Sequence, residues 1–158
     1  MRIFSRLTTD ISLEDAVRSG KLEVVRKILR RGVGQEELNN CLGYSQHESL
    51  KMLKLLVKHG ADINYQSSDG GKRPLHLAAI NGRPELAIYL IEQGAFVNAV
   101  DEDGYTALDH TYKTPLDEVI FGLGGESAEP FIDTSKKLRL FVAEVLTLNG
   151  GIRGHTKN

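Results

Sequence analysis

The stretch RPLHLAAINGRPELAIYLIEQGAFVN, Arg73 to Asn98, decides the fold. Its first part, PLHLAAIN, is a short apolar run ended by Gly82, whose missing Cβ lets the chain reverse sharply. Pro84 then opens a second segment, at a helix position where the absent N–H costs nothing. In PELAIYLIEQ, Leu86, Leu90 and Ile91 fall on one face with Ala87 beside them, the spacing of an amphipathic helix. The stretch therefore predicts helix, tight turn, helix, glycine turn. It contains no evident catalytic group.

Working outward, the end of the stretch has already occurred once. KHGADIN, Lys58 to Asn64, returns as EQGAFVN, Glu92 to Asn98, so that Gly60 and Gly94 stand 34 residues apart, as do Asn64 and Asn98. A fixed period of this size marks a repeat architecture. PLHLAA at 74–79, Gly82, the second helix and GAFVN at 94–98 resemble one repeat of the ankyrin family, and DEDGYTAL at 101–108 opens the next in that family's manner. The resemblance implies an all-α ankyrin-repeat solenoid of stacked helix-turn-helix units with projecting loops.

Four units follow, in one domain over 1–158: about 12–34, 35–67, 68–101 and 102–151. DAVRSGKLEVVRKILRRG supplies the first helix pair, with Ser12 and Asp15 at capping-box spacing. Gly32 and Gly60 are only 28 residues apart, so the loop after the first pair is expected to be clipped. EELNNCLGYS and ESLKMLKLLVKHG form the second pair without the PLH signature. In the fourth unit TALDHTYK is the first helix and SKKLRLFVAEVLTLNGG, Ser135 to Gly151, its partner. Gly94 and Gly150 are 56 residues apart, which leaves an insertion at 114–134. Within it TPLDEVIF can form a short helix, and the remainder reads as an irregular loop. The expected core is Leu22, Val25, Leu29, Leu53, Leu56, Leu75, Leu77, Ala78, Leu86, Leu90, Leu108, Leu140 and Val145.

Composition excludes several function classes. A net charge of −1 does not suit a surface built for nucleic acid. The lone Cys41, among apolar neighbours, makes no internal disulfide or cysteine-rich zinc site. No signal-peptide or membrane-spanning run is present, so a cytoplasmic protein is expected. Charge is unevenly placed: residues 1–60 carry +4, 101–133 carry −8, and the tail from 134 carries +4. An acidic segment lies between two basic ones.

Motifs with chemistry are few. GGK at 70–72 lacks the earlier glycine and the Ser or Thr of a P-loop. None of the five histidines has metal-ligand spacing to another. The adjacent Asp109 and His110 point to different helix faces and cannot serve as orienter and base. Asp101 with Asp103, and Asp117 with Glu118, read as exposed loop acids rather than a tuned acid–base pair. No enzyme, metal or cofactor is expected. By the resemblance, His76 ties neighbouring repeats through backbone hydrogen bonds, and Asn64 and Asn98 lock the interrepeat turns.

The resemblance also places the binding residues, at the loop tips and on the exposed side of each first helix: Asp69, Lys72, Ile80 and Asn81 in the third unit, and Glu102, Asp103, Tyr105 and Lys113 in the fourth. Asp117 and Glu118 of the insertion join them as acids that steer a partner with a basic surface patch. Two departures bear on this surface. SSDGGKRPL carries one residue more than the usual loop, which should push the tip outward. Arg73 stands where Thr normally caps the helix, and is either an imperfection or a contact residue. Tyr65 and Tyr105 are either interface anchors or loop packing. The expected function is noncatalytic protein–protein interaction by a monomer through the concave loop and helix surface. The alternative is an inhibitor or immunity-type protein that blocks a basic active site.

Overall fold

The computed structural model describes residues 11–45, 49–113 and 134–154. They form α1 (Leu13–Arg18), α2 (Leu22–Leu29), α3 (Gln35–Ser45), α4 (Leu50–Lys58), α5 (Pro74–Ile80), α6 (Pro84–Glu92), α7 (Ala107–Tyr112) and α8 (Thr134–Leu148). The chain is all-α with ankyrin organisation, in two compact units, Met1–Asp62 and Ile63–Asn158.

In the first unit α1 packs on α2 and α3, and α3 on α4. Ser12 caps α1, accepting the Asp15 N–H at 3.0 Å while donating its hydroxyl to the Asp15 carboxylate at 2.8 Å. The Asp15 carboxylate thus holds the capping hydroxyl in place. Ser49 caps α4 by accepting Met52 N on its hydroxyl at 3.3 Å. Leu13, Val17, Val25, Leu42, Met52, Leu53 and Leu56 close the core. The clipped loop is real: α3 begins three residues after Gly32. It also displaces a residue role. Four residues after Gly60 and Gly94 stand Asn64 and Asn98, but four after Gly32 stands Glu36, already inside α3. The tie to the following turn is made instead by two α3 side chains. Gln35 Nε2 donates to the Gly60 carbonyl at 2.8 Å, and Asn39 Oδ1 accepts from Asp62 N at 2.8 Å.

In the second unit α5 packs on α6 and α7, and α8 lies against α5, α6 and α7. Leu75, Ala78, Leu86, Leu90, Val142 and Leu146 are fully buried among them. Each such leucine contributes about 1.5–3 kcal/mol of transfer free energy. Gly82, at φ +58, sits where α8 crosses the α5–α6 turn, and a Cβ there would meet Arg139 Cγ at 3.1 Å. Asn64 donates Nδ2 to the Gly94 carbonyl (3.1 Å) and accepts Phe96 N (2.8 Å). Asn98 repeats this on Gly150 (3.0 Å) and Ile152 N (2.8 Å). Each Asn locks the turn that follows its own, one repeat on.

Three core expectations need correction. Leu140 is 46% exposed, because it lies on the side of α8 opposite Val142 and Leu146. Leu22 and Leu77 are half-buried. The other ten lie in the core. The insertion expected at 114–134 lies, up to residue 133, outside the described residues.

Candidate protein-binding surface

The projecting loop of the third unit runs from Tyr65 to Arg73 and closes through Ser67 N to the Lys72 carbonyl at 3.0 Å. The loop also makes a sideways contact: the Gly70 carbonyl accepts Glu102 N from the next tip at 3.2 Å. Gly71 makes that approach possible. Its φ is +65, and a Cβ would lie 2.7 Å from Gln66 Nε2 and 3.1 Å from Glu102 N.

The second tip is built around Asp101, and here the expectation of an exposed acid fails. Its side chain is fully buried, with Oδ1 accepting Asp103 N at 3.0 Å and Tyr105 N at 2.9 Å. Oδ2 meets His110 Nε2 at 2.7 Å. Burial alone would raise this carboxyl; the hydrogen bonds from Tyr105 N–H and His110 outweigh it and hold the group below the usual Asp value. Sequence reasoning missed the pair because the nine-residue separation reads as two unrelated surface groups. Only the return of Val100 to Thr106 in a local bridge brings them together. The imidazole is packed, with His76 edge-on at 5.7 Å and Tyr105 at 5.8 Å, so the pair holds the tip and is not offered to a substrate.

His76 carries its expected tie: Nδ1 accepts Arg73 N at 2.9 Å, and Nε2 donates to the Ala99 carbonyl at 2.9 Å. Burial, with help from nearby His110, lowers its pKa. Asp109 occupies the same helix position in the next repeat and reverses the polarity. Its Oδ2 accepts Thr106 N, the Thr106 hydroxyl and Gly154 N, each at 2.8 Å. Asp109 and His110 thus face different partners, as their adjacency requires.

Arg73 resolves toward structure: Nη1 donates to the Asn64 carbonyl, Nη2 reaches Gln66 Oε1 at 3.4 Å, and the guanidinium lies 6.0 Å from the Phe96 ring. Among the expected contact residues, Asp69, Glu102, Asp103 and Lys113 are exposed, while Lys72, Ile80, Asn81 and Tyr105 are half-buried. Lys113 ends α7 with its Nζ 3.4 Å from the Tyr105 ring centre, so Tyr105 shows a cation-covered face. Tyr65 is half-buried. Asp117 and Glu118 lie outside the described residues. Among the described residues no group of three or more His, Cys, Asp or Glu could hold a metal ion. None of the described helices is long and apolar enough to cross a membrane.

Helix hairpins tied turn to turn, with hairpin tips projecting from them, define a repeat scaffold whose chemistry is recognition. The family model for ankyrin repeats (many copies) matches residues 41–91. Protein phosphatase 1 regulatory subunit 27 of Mus musculus is 38% identical over 105 residues, covering 63% of this chain and 68% of that protein, and its Homo sapiens counterpart gives the same figures. The E3 ubiquitin-protein ligase Ufd4 of Drosophila melanogaster is 34% identical over 110 residues, 64% of this chain but 4% of the ligase. The chain belongs to the ankyrin-repeat family.

Proposed function

We propose that this chain is a noncatalytic adaptor whose four units act as one domain in the cytoplasm. A single chain would bind one protein partner through Asp69, Lys72, Ile80, Asn81, Glu102, Asp103, Tyr105 and Lys113. The observation that carries this reading is the pair of loop tips fixed to one another through Gly70 and Glu102. Recognition groups on a rigid support lose little entropy on binding. Two relatives are named as regulatory subunits of a phosphatase, which supports an enzyme subunit as the partner class. Asp117 and Glu118 add negative charge that would speed encounter with a basic patch on that partner. The active-site-blocking alternative rests on the insertion alone and is not favoured.

The test is an affinity capture from native extract, read by mass spectrometry. It compares wild type, a Tyr105→Ala/Lys113→Ala variant and a variant with the 117–133 acids neutralised, all checked for helicity. Loss of a partner from the tip variant supports the surface assigned. Equal retention by all three would overturn it, and loss from the acid variant alone would move the interface to the insertion.

A further inference from the structure

Gly32, Gly60, Gly94 and Gly150 each follow the second helix of a hairpin, α2, α4, α6 and α8, and give these helices a common sequence register. The last two are fixed by matching ties, Asn64 to Gly94 and Phe96, and Asn98 to Gly150 and Ile152. Nine residues before each glycine stand Glu23, Lys51 and Glu85, then Phe141; two residues before stand Arg30, Lys58 and Glu92, then Leu148. All eight are exposed. Charge at these outward positions in three repeats gives way to large apolar groups in the fourth. Phe141 is 49% and Leu148 78% exposed, and Leu140 lies beside them.

At 100° per residue, Lys137, Leu140, Phe141, Glu144 and Leu148 fall within about 100° of arc, opposite the buried Val142 and Leu146. An apolar stripe on a solvent-facing helix marks an interaction site. This stripe is also self-complementary in charge. In an antiparallel pair of α8 helices with the two-fold axis between Leu140 and Phe141, Lys137 of one copy faces Glu144 of the other. Symmetry forms that pair twice, around an apolar centre.

We infer that the outer face of α8 is a homodimer contact, occupied by α8 of a second copy. One helix pair buries less than the roughly 1,200 Å² of a stable interface, so the association is weak and concentration-dependent. A single chain remains the form that binds the partner proposed above, and the two surfaces are tested separately.

The experiment is sedimentation velocity on the full chain from roughly 10 to 500 µM, the range where weak contacts are read. Wild type should rise from 17.5 kDa toward twice that mass. Phe141→Glu/Leu148→Glu, which restores the charged pattern of the earlier repeats at exposed sites, should keep its helicity and stay monomeric. Lys137→Glu should weaken association several-fold, and Lys137→Glu/Glu144→Lys should restore it. A flat wild-type mass at every concentration, or a rise that survives Phe141→Glu/Leu148→Glu, would overturn the inference. So would a charge exchange that fails to restore association.

Discussion

At Asp109 one carboxylate oxygen does with three acceptances what the imidazole of His76 does with one acceptance and one donation. Burial would raise this carboxyl, but the N–H groups of Thr106 and Gly154 hold it below its usual value. Asp109→Ala leaves those donors without their acceptor, costing roughly 1–3 kcal/mol. Asp109→His should not rescue it, because an Nε2–H aimed at the Gly154 N–H opposes donor to donor. Urea unfolding of the three proteins checks this; a stable His variant would refute the polarity argument. Cys41 gives a second residue-scale prediction. Burial, with Glu37 and Glu14 nearby, pushes its thiol up to about 12. From the thiolate fraction alone, alkylation at pH 8 should be about a thousandfold slower than for an unperturbed thiol. Urea should abolish the protection. The tie made by His76 was legible only through the family resemblance, since its Ala99 partner lies 23 residues on, whereas the burial of Cys41 was legible from the apolar residues beside it. Buried Asp101 was not, since its burial depends on a hairpin closing over it.

Helices and turns were legible wherever the glycine period held, because each glycine turn fixes the register of the helix before it. The side of α8 that faces solvent was not. A stripe carrying Leu140, Phe141 and Leu148 has the same period as one carrying Val142 and Leu146, and only the neighbours decide which is covered. Arg73 shows the same limit, since its inward bonds come from residues seven and nine positions away. Two leucines test the distinction. Leu90→Ala empties a fully buried site and should cost roughly 2–5 kcal/mol. Leu140→Ala, at low micromolar concentration, should change stability by less than about 0.5 kcal/mol. Equal losses in chemical denaturation would return Leu140 to the core. At the loop tip, Gly71→Ala forces both a positive φ and a contact with the Glu102 backbone, so a loss of about 1–2 kcal/mol is expected.

Over the whole molecule the titrations displaced in the acid range act in one direction. The His76 pKa is lowered in the fold, so between that value and its ordinary one near 6.5 the unfolded chain binds more protons. Stability from this group is complete above about pH 6.5 and is lost as pH falls toward the depressed value. Asp101 and Asp109 are also lowered, and their contribution, present above about pH 3.9, is lost as pH falls further through their folded-state values. Acidification should therefore weaken the fold in two stages, the first set partly by His76 and the second by the two carboxylates. Near His76 stand His110, Asp101 and Arg73, and their charges modulate the first stage. Thermal melts from pH 8 to 3 should show Tm falling below pH 6.5 and falling again below pH 4. His76→Gln should start lower, having lost the tie to Ala99, and fall less steeply through the first stage. An unchanged slope in that variant would place the first stage on another histidine. A Tm that rises on acidification would show that the neutral imidazole is not what the fold selects.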